Sequence, residues 1–345
     1  SLDTTAYIFP IKDALLYEQT RRGGYGSGSN VYIAHNPDFG ATFTYFIKEA
    51  PKTLKQQRRK MEKELIGDKK PIPIPTMEEL RAEENEIDPY LIFTIKNKEG
   101  NVIRKLTKSA GDGIKQITWN LRYPSTGPVR DDEFDPLDEG GNWMLVKPGT
   151  YSVTISQYVR GEITELAGPE SFEVVPLENT TLPATDRDAL VDFQNQLAEM
   201  ARVIRGAEEM ADDLMKRVNS ARQAAARTPE ASESLKTEIE KLEAELEEIN
   251  WKFHGQEPKA SREENWPAPP SIMERMNSIL YVHWRSTADP TQTQRDVFEI
   301  LKDEFPPMLE ELKEIHQTKL PAIEGQLEAI GAPWTPGRIP EWKFD

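Results

Sequence analysis

The sequence predicts an α+β multidomain protein: an immunoglobulin- or fibronectin-III-like antiparallel β-sandwich followed by an elongated antiparallel helical bundle. Up to about Pro183, short alternating segments are broken by Gly and Pro; after it, apolar residues recur at spacings of three and four. At 345 residues the chain is also long enough for two cores. These signals set residues 1–40 as a connector and 41–178 as the sandwich, with a helical insertion near 52–86. Residues 184–331 are the bundle and 332–345 a C-terminal tail.

In chain order, the Gly-rich run from Gly23 to Gly28 precedes strand-like Val31 and Ile33 and reads as a surface loop, because a phosphate cradle needs a helix after it. Phe43 and Tyr45 alternate with small or polar residues in a first strand over 41–47. Residues 52–65 favour a charged helix. Pro71, Pro73 and Pro75 force extended backbone, and Thr76 with Glu79 forms a capping box for a short helix ending near Glu86. Residues 91–95 and 102–106 flank a turn at Gly100 and read as a hairpin. Ile117, Trp119 and Leu121 supply an inner face, and Tyr151, Val153, Ile155, Ile163, Leu166, Phe172 and Val174 continue the series around Arg160-Gly161. Short strands without long intervening helices favour an antiparallel sandwich.

The helical half opens with Thr185. Its stripe runs Leu190, Phe193, Leu197, Met200, Ile204, Ala207, Ala211, Leu214, Val218, Ala221, Ala225, spanning roughly 60 Å. A second stripe (Leu235, Ile239, Leu242, Leu246, Ile249, Phe253) belongs to a helix expected to start at Thr228-Pro229, and Ser271 with Glu274 caps a third. Asp289-Pro290 opens the last. Its seam (Val297, Leu301, Phe305, Met308, Leu312, Ile315) slips by one position to Leu320, Ile323, Leu327, Ile330, with Pro306, Pro307 and Pro321 expected to kink or restart it.

The net charge of −16, from 59 acids against 43 bases, disfavours nucleic acid, which needs a basic face. There is no cysteine, so disulfides and thiolate chemistry are excluded. No apolar run reaches the roughly 18 residues of a membrane span. The start at Ser1, without methionine or signal peptide, predicts a processed protein or a piece of a longer one.

No reacting constellation stands out. His35, His254, His283 and His316 form no HExxH or HxH pattern, and no serine sits in a GxSxG elbow. His283 and His316 read as packing or surface groups. Asp131, Asp132, Asp135 and Asp138 are calcium candidates by chemistry, since a flexible acidic loop offers the oxygens calcium takes, but the spacing lacks the EF-hand pattern and a solvated loop is the plainer reading. Trp119, Tyr123 and Trp143 would suit a sugar platform, although such aromatics more often fill a core.

Residues 36–49 (containing Asn-Pro-Asp-Phe-Gly), 113–124 (Ile-Thr-Trp-Asn-Leu-Arg-Tyr-Pro), 147–151 (Lys-Pro-Gly-Thr-Tyr) and 331–338 resemble the post-propeller region of large secreted bacterial proteins of the sortilin-like, BNR-repeat type. The strands are also similar to the immunoglobulin-like module of flagellar hook-capping proteins. The resemblance makes residues 1–40 a connector from an upstream β-propeller and puts the chain outside a bacterial cell, as secreted, periplasmic or surface-bound. It carries no catalytic residue here, because no SxDxGxxW box occurs. The expected function is a non-catalytic scaffold that docks or presents a protein partner, a propeller or envelope protein, through the edge near Val31, Ile33, Phe43 and Tyr45. No cofactor is expected beyond the calcium candidates. The alternatives are an accessory part of a propeller-based hydrolase acting on peptides or glycans, and a carbohydrate-binding module.

Overall fold

The computed structural model describes residues 4–17, 37–129, 131–177, 182–257, 266–284 and 286–342. The chain divides into two compact units, one of Ser1–Ser125 with Asp131–Asp188, the other of Thr126–Arg130 with Ala189–Asp345. It is a mixed α and β protein, with antiparallel sheets in the first unit and helices, one of them very long, in the second.

In the first unit a three-stranded sheet has the order β1 (Ala6–Ile8), β3 (Ala41–Ile47), β6 (Gly113–Trp119). A five-stranded sheet has the order β2 (Ala14–Leu16), β10 (Glu162–Pro176), β9 (Gly149–Val159), β4 (Tyr90–Asn97), β5 (Val102–Ser109). A small ribbon joins β7 (Arg122–Pro124) to β8 (Asn142–Leu145). All pairings are antiparallel except β2 with β10. The period-two pattern explains the packing. In β3, Ala41, Phe43, Tyr45 and Ile47 are buried and their neighbours are not. Both sheets contribute to one core, where Phe43 meets Phe172 at 5.4 Å, Tyr45 meets Phe93 at 4.9 Å and Trp119 meets Tyr151 at 5.4 Å. Each such fully buried ring stabilises the fold by about 1.5–3 kcal/mol. Gly40, with φ +128°, lets β3 approach β6: a Cβ there would lie 1.9 Å from the Trp119 carbonyl oxygen.

Two sequence expectations change here. The segment read as a connector contains β1 and β2, whose Ala6, Ile8, Ala14 and Leu16 are core residues. Strands of three residues are too short to show an alternation. Ile163, expected inside, is 64% exposed. Ile163 pairs with Tyr158, whereas Phe172 pairs with the core residue Tyr151; the two one-residue register shifts between Glu165 and Glu170 cancel, so the alternation is kept, with Phe172 and Val174 on the core face and Ile163 on the other.

The second unit contains α3 (Arg187–Arg227), α4 (Glu233–His254), α5 (Ile272–His283), α6 (Gln292–Glu314) and α7 (Leu320–Ala329). Paired contacts run in opposite senses along α3 and α4, with Glu208 near His254 and Arg222 on Glu243, so these helices are antiparallel. The same holds for α4 against the last helices, through Lys252–Glu311, Lys319–Glu245 and Gln326–Glu238. The buried stripes match the sequence reading closely, with Ala201 in place of Met200 and Phe298 in place of Val297.

The start of α4 differs. Its cap is Ser232, whose hydroxyl accepts from the Leu235 amide, whereas Thr228 donates to the Ala224 carbonyl at 2.8 Å and so finishes α3. The last helix opens at Thr291, with a capping box to Gln294. It continues through Pro306 and Pro307, which lie on its exposed face. The interruption comes at Ile315–Lys319, a π-helical turn in which the Leu320 amide donates to the Ile315 carbonyl. That five-residue step is the one-position slip between Ile315 and Leu320, and Pro321 follows at the first turn of α7.

The tail is docked rather than free. Arg338 donates to the Glu328 carboxylate, to the Pro333 carbonyl at 2.7 Å and to the Ala332 carbonyl at 3.2 Å. Trp334 Nε1 donates to the Arg338 carbonyl at 2.8 Å. Among the described residues no helix is long and apolar enough to cross a membrane.

Candidate interaction surface

Phe43 and Tyr45 are fully buried, and β3 is hydrogen-bonded on both sides, by β1 and by β6. Their side chains face the core, β6 pairs along all of β3 and β1 pairs with it at Tyr45–Ile47, so these two side chains do not form the expected docking surface. Val31 and Ile33 lie outside the described residues, as do Gly23 to Gly28 and His35. Trp119 is also fully buried, with Nε1 donating to the Arg122 carbonyl at 3.1 Å, and Trp143 is 7% exposed. These aromatics cannot form a sugar platform, since a stacking ligand needs an open ring face.

In the acidic loop, Asp135 Oδ1 accepts from the Leu137 amide and Asp138 Oδ1 from the Gly140 amide, both at 2.8 Å. These carboxylates serve local turns. Among the described residues, Asp131, Asp132, Asp135 and Asp138 included, no group of three or more His, Cys, Asp or Glu is arranged to hold a metal ion. His316 is exposed on the π-turn and His254 lies 3.4 Å from Glu208. His283 is buried at 2% exposure in contact with the Phe193 ring, and burial pushes its pKa down.

What the structure brings together is the insertion between β3 and β4. It is a helical hairpin of α1 (Leu54–Gly67) and α2 (Met77–Glu84), each opened by a capping box, at Thr53/Gln56 and Thr76/Glu79. Arg58 clamps the two helices, donating to both Glu83 oxygens at 2.6 and 2.8 Å and to Glu62 at 2.6 Å. The Arg58 guanidinium holds the Glu83 carboxyl below the usual range. At the base, Glu86 Oε2 accepts from the Leu54 amide at 2.6 Å. Yet neither helix buries a single residue. Met61 is 51% exposed, Ile66 61%, Ile74 92% and Met77 67%. Charge is segregated as well. α1 carries Lys55, Arg58, Arg59, Lys60 and Lys63 against Glu62 and Glu64, whereas α2 carries Glu78, Glu79, Glu83 and Glu84 against Arg81.

Below the hairpin opens a cleft of about 770 Å³, lined by Glu49, Glu86, Asp88, Asp112 and Asp135 with Lys52 and the exposed ring of Phe134. Tyr90 in its wall stacks on Tyr158 at 4.8 Å, and burial raises its pKa. The second unit has a smaller groove, about 310 Å³, between Trp251, Pro270, Ile272 and Met308. The sequence reads this segment as a helical insertion near 52–86, and α1 and α2 lie within it. Between its prolines Ile72 and Ile74 are exposed, and its two arms carry opposite charge. No family model, curated protein or solved structure matches the chain.

Proposed function

We propose that this chain is a non-catalytic scaffold and interaction module of a secreted or envelope-associated β-propeller protein, and that it docks its partner through the α1–α2 hairpin. The carrying observation is the hairpin's apolar surface: two capped, clamped helices without a fully buried residue expose Met61, Ile66 and Met77, and the segment joining them exposes Ile74. Large apolar side chains left exposed on one small, charged element support its reading as an interaction site. The propeller and envelope parts of the reading rest on the resemblance of residues 36–49, 113–124, 147–151 and 331–338.

Within this reading the first unit is an immunoglobulin-like sandwich. Its strand order supports that: a β1-β3-β6 sheet faces a β2-β10-β9-β4-β5 sheet, and the first strand pair splits between them. So does Tyr151 near the start of β9, whose hydroxyl donates to the Lys147 carbonyl at 2.7 Å, the geometry of a tyrosine corner.

Replacing residues 54–84 by a short Gly/Ser linker tests the function. Capture of propeller-bearing protein from native extract, measured by quantitative mass spectrometry, should fall at least about 10-fold, with the sheets' melting temperature little changed because no helix residue is buried. Peptide or glycoside turnover by the purified chain, with or without calcium, would sink the reading, and so would undiminished capture.

A further inference from the structure

We propose that the occupant of the hairpin surface is a second copy of this chain, the two hairpins pairing about a two-fold axis with α1 of each copy against α2 of the other. This rests on the reading of the hairpin as a docking surface.

Charge points to self-pairing. α1 has a net charge of +3 and α2 of −3. An anionic membrane or a polyanion would meet α1 favourably but be repelled by α2 beside it, and a chain of net charge −16 is poorly suited to either. A cationic segment fits α2 alone. A second hairpin turned by a two-fold rotation presents its acidic helix to the basic one and its basic helix to the acidic one. That is the requirement of an isologous interface, where one patch must complement itself.

Helix energetics point the same way. Isolated helices shorter than about 12–15 residues are marginal in water, and most helical stability comes from packing an apolar face. α1 has 14 residues and α2 has 8. Caps and the Arg58–Glu83 clamp help, but Met61 and Met77 gain burial only from a partner.

The test is sedimentation equilibrium on the full chain over a wide concentration range. The wild type should reversibly dimerise, more weakly as salt rises. Two reversals avoid the caps and the Arg58–Glu83 clamp: Arg59→Glu with Lys63→Glu on α1, and Glu78→Lys with Glu84→Lys on α2. Each alone should weaken the dimer about 30-fold or more, since each change is felt twice across the axis. An equimolar mixture of the two should form a heterodimer near wild-type strength, an outcome that unfolding of either variant could not produce. A wild type that stays monomeric, or a dimer indifferent to both reversals, overturns the proposal. If the chain is monomeric while deletion of the hairpin still abolishes propeller capture, the self-pairing falls and the docking reading survives; loss of both results removes both.

Discussion

Removing Arg217 from the helical unit should cost more than any surface charge in the molecule. Its Nε and Nη2 donate to Glu324 Oε1 at 3.1 and 2.8 Å, and Nη2 reaches Oε2 at 2.9 Å. The side chains are only 14% and 9% exposed, and the pair ties α3 to α7. Gly337, with φ +94°, closes over it so tightly that a Cβ would fall 2.6 Å from Arg217 Nε. Arg217→Met leaves Glu324 buried without its partner, a loss of about 3–5 kcal/mol for such pairs, and the residual exposure favours the lower end. In a unit of this size each kcal/mol shifts the midpoint by about 2–4 °C, so a loss of about 3 kcal/mol lowers it by about 6–12 °C. Arg217→Met with Glu324→Leu removes both charges and should recover most of that loss, because a buried ion pair is nearly neutral against an apolar replacement. Calorimetry on the four proteins of the cycle measures the coupling, with the melting of the sheet unit as internal control. A single-variant shift below about 2 °C, or simple additivity in the double variant, would refute the reasoning.

Three further outcomes are expected. Neither ring nitrogen of His283 makes a hydrogen bond of normal geometry, and although Gln294 favours its protonation, burial outweighs it and Arg295 adds repulsion. The unfolded chain takes the proton near pH 6.5 while the folded state resists it, so the helical unit should lose stability as pH falls below about 6.5; His283→Phe should flatten this part of the melting-temperature profile, and an unchanged profile would count against it. Leu197→Asp puts a charge at a fully buried position and should cost several kcal/mol in urea titration, whereas Glu199→Lys, which only breaks an exposed pair with Arg202, should cost about 1 kcal/mol or less; equal losses would contradict the helix seam. Tyr151→Phe removes the hydroxyl that serves the Lys147 carbonyl and should destabilise the sheet unit by about 1 kcal/mol, with no change in the melting of the helices.

The helical stripes were legible because a 3.6-residue period repeated over many turns leaves little ambiguity, and the slip at Ile315–Leu320 was visible before its cause, a π-helical turn, was. At residues 200 and 201 size misled: Met200 looks like the better core residue, but the position facing inward is that of Ala201. The capping boxes at Thr76 and Ser271 could be read directly, since both partners lie within four residues. Ser232 was passed over for Thr228-Pro229, where a proline signal competed with a serine cap. The docking edge at Phe43 and Tyr45 was misread for a non-local reason. Whether a strand is an edge depends on what pairs with it, and β1, too short to announce itself, covers that side at Tyr45–Ile47, while Phe43 turns its ring into the core. Exposure is likewise a property of the whole fold, so the apolar hairpin could be placed from its sequence but not seen to be bare.

The parallel pairing of β2 with β10 has a mechanical consequence. Ala14 lies opposite Val174 and Leu16 opposite Pro176, so the chain enters this pair at one end and leaves it at the other. Tension pulling the incoming chain and the outgoing chain apart therefore runs along the two strands in opposite directions. The bonds between them are loaded together, in shear, and must fail as a group; an antiparallel pair pulled open from one end would unzip one bond at a time. A unit wired in this way resists stretching better than its modest three-residue pairing suggests.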